Sequence, residues 1–72
     1  MDDAEKELRR IKAAFRRAFS SDSGHIVMKW LEDNFIFTTP YVPGKPDATQ
    51  VNVGKQYLAL EIRDLADPTK EE

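Results

Sequence analysis

Three prolines at a spacing of three, Pro40, Pro43 and Pro46, divide this 72-residue chain into two unequal blocks. Each proline fixes its own φ, removes a backbone donor and biases the preceding residue away from helix, so no helix runs through that segment. The stretch from Ile36 to Pro46, IFTTPYVPGKP, is left with β or polyproline backbone, and Pro43-Gly44 inside it signals a turn. Its β-branched and aromatic residues (Ile36, Phe37, Thr38, Thr39, Tyr41, Val42) alternate with the prolines. That pattern predicts an ordered, extended connector whose apolar side chains lie across the helices and close one end of the core.

Beyond the connector, Asp47 to Leu65 reads as a helix. Asp47 is placed to cap its first free N–H groups, and Gln50 three residues later completes a capping-box pattern. Val51, Gly54, Leu58, Ile62 and Leu65 recur at steps of three and four and mark its main apolar face. Val53, Tyr57 and Leu60 fall on a second apolar strip, rotated well away from the first at roughly 100° per residue. A helix apolar on two sides has two neighbours to satisfy. The second strip, extended by Tyr41 from the connector, is therefore either an association surface or a face that the connector itself covers.

Before the connector, Asp2 to Phe19 carries Ala4, Leu8, Ile11, Phe15, Ala18 and Phe19 on one stripe, with acids at its start and Arg16 and Arg17 near its end, as the helix dipole favours. Ser20 and Ser21 break the pattern. Ser21 is a good N-cap for a second helix, Asp22 to about Phe35, with Val27, Trp30, Leu31 and Phe35 on one face and Gly24 one turn before Val27. So short a connection turns the two helices back on each other, which predicts that Phe15 and Phe19 meet Val27 and Leu31. The expected fold is all-α: a compact three-helix domain over 1–66, with an extended Pro-rich connector between the second and third helices. Residues 67–72, with Pro68 and a run of charge, are expected to form a flexible acidic tail.

Composition narrows the functional classes. With no cysteine and one histidine, the chain lacks the ligands of an ordinary zinc centre and has no disulfide framework. His25 has only scattered acids near it, and no nucleophile, base or glycine-rich phosphate loop stands out, so the chain reads as non-enzymatic, without cofactor or metal. No run approaches a membrane span, and MDDAEKELRR has no apolar signal core, which predicts a cytoplasmic product with no membrane partner. A net charge of -2 gives no global attraction to nucleic acid.

Two local features invite a sharper reading. Gly54 costs about 1 kcal/mol relative to alanine inside a helix, which calls for a reason: close packing of another helix, or a self-association contact. On the first helix, Lys6, Arg9, Arg10, Arg16 and Arg17 share the face opposite the apolar stripe, with Lys12 at its flank. An ordinary solvated face accounts for them; the alternative is contact of Arg9, Arg10, Arg16 and Arg17 with phosphates or an acidic partner. The phenylalanines lie on the other side, so stacking on single-stranded bases has no support. By themselves these patterns describe a small helical domain with an association surface and no visible chemistry.

The run FRRAFSSDSGHIVMKWLEDNF, then a threonine-aromatic-proline connector, then PDATQVNVGKQYLALEI, resembles a family of small tailed-bacteriophage proteins, the Bordetella-phage-type virion domain. Phe15, Phe19, Asp22, Gly24, Leu31, Asp47, Ala48, Thr49, Gly54 and Lys55 carry the likeness, in order and spacing, over about Ala14 to Leu65. Lys55 stands where that pattern often has arginine, and Ser23 separates Asp22 from Gly24. The resemblance implies a phage or prophage product encoded among head and neck genes, with no established enzymatic activity; the expected location is the host cytoplasm during infection and then the virion. The expected function is that of a structural or assembly protein of the head and neck region, which docks to itself or to another, larger phage structural protein. A small nucleic-acid-binding accessory, used in packaging or host takeover, is the alternative.

Overall fold

The computed structural model describes residues 2–69. It comprises α1 (Asp3–Phe19), α2 (Asp22–Leu31) continuing into a π-helical turn (Glu32–Ile36), and α3 (Pro46–Ala66), with no strand among the described residues. The fold is all-α, in the order expected.

The start of α1 is set by Asp2, whose Oδ1 accepts the Glu5 N–H at 2.8 Å. Asp2 is thus the cap, not the first helical residue. At the other end a single side chain joins two helices: the Ser21 hydroxyl accepts the Gly24 N–H at 3.0 Å and donates to the Ala18 carbonyl at 3.0 Å. It caps α2 while satisfying an orphan acceptor of α1. Gly24 is buried in the resulting corner, where a Cβ would collide with the Ala18 oxygen and sit 2.5 Å from the Phe19 Cα. This is the glycine that close helix packing requires. At Gly54, where the sequence predicts close packing of another helix or a self-association contact, no described residue beyond its own helical backbone lies within 4 Å of where a Cβ would stand.

Gly24 also sets which edge of α2 turns inward. Met28, Leu31 and Phe35 follow it at helical spacing and are half-buried, whereas Val27 and Trp30 are exposed. The expected inward face of α2 is thus shifted, with Val27 half exposed and Met28 turned inward beside Leu31. Phe15 and Phe19 stack on each other, with ring centroids 6.3 Å apart. The π-turn closes with the Phe37 N–H donating to the Glu32 carbonyl at 2.8 Å, while Asn34 Nδ2 donates to the Trp30 carbonyl at 2.8 Å. A polar side chain competing for a helix carbonyl accompanies this widening of the ladder.

Helix α3 begins at Pro46, one residue before the expected start. Proline suits the first helical position because its φ is already helical and its absent N–H would have no partner there. Asp47 is consequently inside the first turn, where its charge faces the positive helix end, and the capping box with Gln50 is not formed. The cap residue Lys45 makes no side-chain hydrogen bond to the helix; its carbonyl accepts the Thr49 N–H at 3.1 Å.

The connector between the π-turn and α3 runs back along the first half of α3 and is held by polar side chains. Thr49 Oγ1 accepts the Val42 N–H at 2.9 Å, Asn52 Nδ2 donates to the Pro40 carbonyl at 3.2 Å, and Gln56 Nε2 donates to the Ile36 and Thr38 carbonyls at 3.1 and 3.4 Å. The strap makes few backbone bonds, among them the Lys45 N–H to the Val42 carbonyl at 3.1 Å, so hydrogen-bonding side chains of α3 at one-turn intervals satisfy its other groups. Its aromatic residues do not seal the core as expected. Phe37 and Tyr41 face solvent, and Arg63 lies over the outer ring of Phe37 at 5.9 Å while pairing with Glu32 at 3.5 Å.

The inward edge of α3 is thus Thr49, Asn52, Gln56, Ala59, Arg63 and Ala66, not the Val51, Gly54 and Leu58 strip. Alanine at 59 and 66 lets neighbouring backbone come close, and the amides serve the strap. Val51 and Leu58 are 57% and 58% exposed, and only Ile62 and Leu65 of that strip are half-buried. The buried apolar residues among those described are two alanines, Ala59 and Ala66. The accessible surface is 5609 Å². A folded monomer of 8.3 kDa typically exposes about 4,600 Å². After α3, Asp67 Oδ1 accepts the Thr69 N–H at 2.9 Å in a short turn, and the rest of the expected tail, 70–72, lies outside the described residues.

Candidate interaction surface

Helices α1 and α3 enclose an open groove of about 510 Å³, lined by Lys12 and Arg16 from α1 and by Tyr57, Leu60, Glu61, Asp64 and Leu65 from α3. Leu60 and Leu65 are half-buried there, and Tyr57 stands at 67% exposure. The groove therefore combines an apolar lining with basic groups from one helix and acidic groups from the other. Such a mixture suits a protein segment better than a small anionic ligand.

The second strip expected on α3 is divided by this arrangement. Tyr57 and Leu60 come together in the groove with Arg16, and Val53 is half-buried. Tyr41 does not join them. It lines a separate hollow with Val42, Pro46, Thr49 and Gln50, at the opposite end of α3. The connector covers the neighbouring Thr49–Asn52–Gln56 edge and leaves Tyr57 open.

The basic residues of α1 are likewise separated. Arg16 is half-buried in the groove with Glu61 and Asp64, and Arg10 Nη2 pairs with Glu7 at 2.7 Å. Arg9 and Arg17 lie on the exposed face. Glu7 and the groove acids interleave negative charge with the basic strip, which weakens the continuous positive track that a phosphate backbone favours.

Two exposed apolar patches complete the surface. On α3, Val51 and Leu58 flank Gly54; on α2, Ile26 and Trp30 lie one turn apart with Val27 beside them. Trp30 is steadied by an edge contact with Phe35, centroids 5.3 Å apart. Among the described residues no group of three His, Cys, Asp or Glu side chains is placed to hold a metal ion. Nor, among them, is any helix long and apolar enough to cross a membrane.

Sequence reasoning missed the residues that organise this surface: Thr49, Asn52 and Gln56, which hold the strap, and Arg63, which ties α3 to the π-turn. A signal was present. Hydrogen-bonding side chains at 49, 52, 56 and 63 keep helical spacing on one face, directly after a proline-rich segment whose carbonyls need donors.

No curated protein and no solved structure matches the chain. Residues 15–72, from the end of α1 through the corner, strap and α3, match the family described as Bbp19-like phage protein. That span includes Gly24, Ser21, the strap and its side-chain ladder, so the match and the architecture cover the same elements. The chain belongs to the Bbp19-like phage protein family.

Proposed function

We propose that this phage protein is a non-enzymatic structural or assembly component, which docks to itself or to a larger part of the virion in the head and neck region. One observation carries the reading: large apolar side chains, including Ile26, Trp30, Val51, Tyr57 and Leu58, lie on the surface around two buried alanines. A domain of this size gains only a few kcal/mol from a single core, so covering that surface by association contributes both stability and function. Exposed apolar patches with polar rims mark such contacts. The groove between α1 and α3, with Tyr57 and Leu60, supplies an additional docking place.

Complementation of a phage that lacks this gene tests the role. Wild-type protein restores complete particles in electron micrographs of lysates, whereas Trp30→Glu and Tyr57→Glu proteins that retain full helicity leave incomplete assemblies. Normal particles without the gene would contradict the proposal. Restoration by both variants would remove these two surfaces from it.

A further inference from the structure

We infer that the Val51–Gly54–Leu58 strip of α3 is a homodimer contact, in which Leu58 of each copy seats against Gly54 of the other. This rests on the docking reading above and names a second copy of the chain as the occupant of one surface.

Gly54 supplies the first argument. It lies in the middle of a 21-residue helix, where glycine weakens the helix relative to alanine, and among the described residues nothing beyond its own helical backbone lies within 4 Å of the missing Cβ. Packing inside the monomer therefore does not account for it. On its two sides at helical spacing stand Val51 and Leu58, both more than half exposed. The result is a notch between two knobs on one face, and a face that carries both is complementary to itself. Reciprocal seating of Leu58 at Gly54 runs the two helices antiparallel, and a missing Cβ lets their axes approach closely.

Area supplies the second argument. The chain exposes 5609 Å², about 1,000 Å² more than a folded monomer of its mass. A stable interface of standard size buries about 800 Å² on each partner, so one copy can remove the excess of another. Charge does not oppose the pairing, because Asp47, Lys55 and Glu61 near the strip carry both signs and the chain's net charge is only -2. The Ile26 and Trp30 patch on α2 offers knobs without a notch, which makes it the poorer self-complement.

Sedimentation equilibrium of the full-length protein, from micromolar to millimolar, tests the inference alongside circular dichroism. Wild-type protein dimerises with rising concentration. Leu58→Glu abolishes the dimer at unchanged helicity, and Gly54→Ala, which adds one methyl in the notch, weakens it by about tenfold while preserving the helix. Should Leu58→Glu unfold, Gly54→Ala still decides, since alanine favours helix. A wild-type protein that is monomeric throughout would overturn the inference, and so would a dimer that both variants form as tightly. Either result leaves the docking role standing, because complementation of particle assembly tests that role separately.

Discussion

The backbone of Gly24 lies against the Ala18 carbonyl so closely that any side chain at 24 would displace the corner between α1 and α2. The obstructing atoms belong to backbone, which cannot swing aside. Gly24→Ala is therefore expected at the costly end of overpacking, about 3 kcal/mol. In a domain of this size that lowers Tm by about 10 °C or more. Thermal unfolding followed by circular dichroism checks it, and an unchanged Tm would contradict the corner geometry.

The Ser21 hydroxyl serves both helices at that corner, so Ser21→Ala removes a cap from α2 and a donor from the Ala18 carbonyl together. The expected loss is about 1 to 2 kcal/mol, and Ser21→Thr should recover most of it. Ser20 makes a comparable bond, to the Arg17 carbonyl at 3.0 Å, but caps no following helix. Ser20→Ala is accordingly the milder change in the same denaturation series.

Gln56 holds two strap carbonyls through one amide. Gln56→Met keeps the size and removes the donor, so the strap should loosen over 36–42 while α1 and α2 keep their protection. Amide hydrogen exchange resolves this residue by residue. Uniform protection across the strap in the variant would show that something other than the ladder holds it.

The arginines of α1 divide by position. Replacing Arg9, Arg10 and Arg17 by glutamine should change stability by no more than about 0.5 kcal/mol, since exposed charges and exposed ion pairs contribute little. Arg16→Gln should cost more, because Arg16 is half-buried in the groove beside Tyr57 and Leu60. Measured DNA binding that disappears with the first three, at intact fold, would favour the nucleic-acid reading.

Gly54→Ala separates the two states of the protein. In dilute solution it should raise Tm, through about 1 kcal/mol of helix propensity, because no described residue beyond the helix's own backbone approaches that space. A lower Tm at every concentration would mean that a neighbour from the same chain occupies that space.

Much of the fold was legible from local chemistry. Ser21 announced the second helix, the prolines announced the strap, and acids at the start of α1 with arginines at its end marked its direction. The facing of α3 was not legible, for a physical reason. Apolar periodicity identifies the strip that seeks cover, and in a self-sufficient domain that strip faces the core. Here Asn52 and Gln56 donate to strap carbonyls on the inner side of α3, while Val51, Gly54 and Leu58 lie on its exposed side. The glycine that packs tightly within the chain is not legible either, since Gly24 and Gly54 look alike as helix glycines and only the three-dimensional turn at Ser21 distinguishes them. The groove joining Arg16 to Tyr57 and Leu60 depends on how α1 crosses α3, which no spacing within either helix encodes.

The proposed role makes this Bbp19-like chain a docked part of a phage particle. Quantitative mass spectrometry of particles purified away from the lysate tests it most directly. The expected result is the chain in purified particles at a fixed ratio to the major structural proteins, or in their assembly intermediates at such a ratio. Abundant protein in the infected-cell lysate, with none in particles or intermediates, would contradict it.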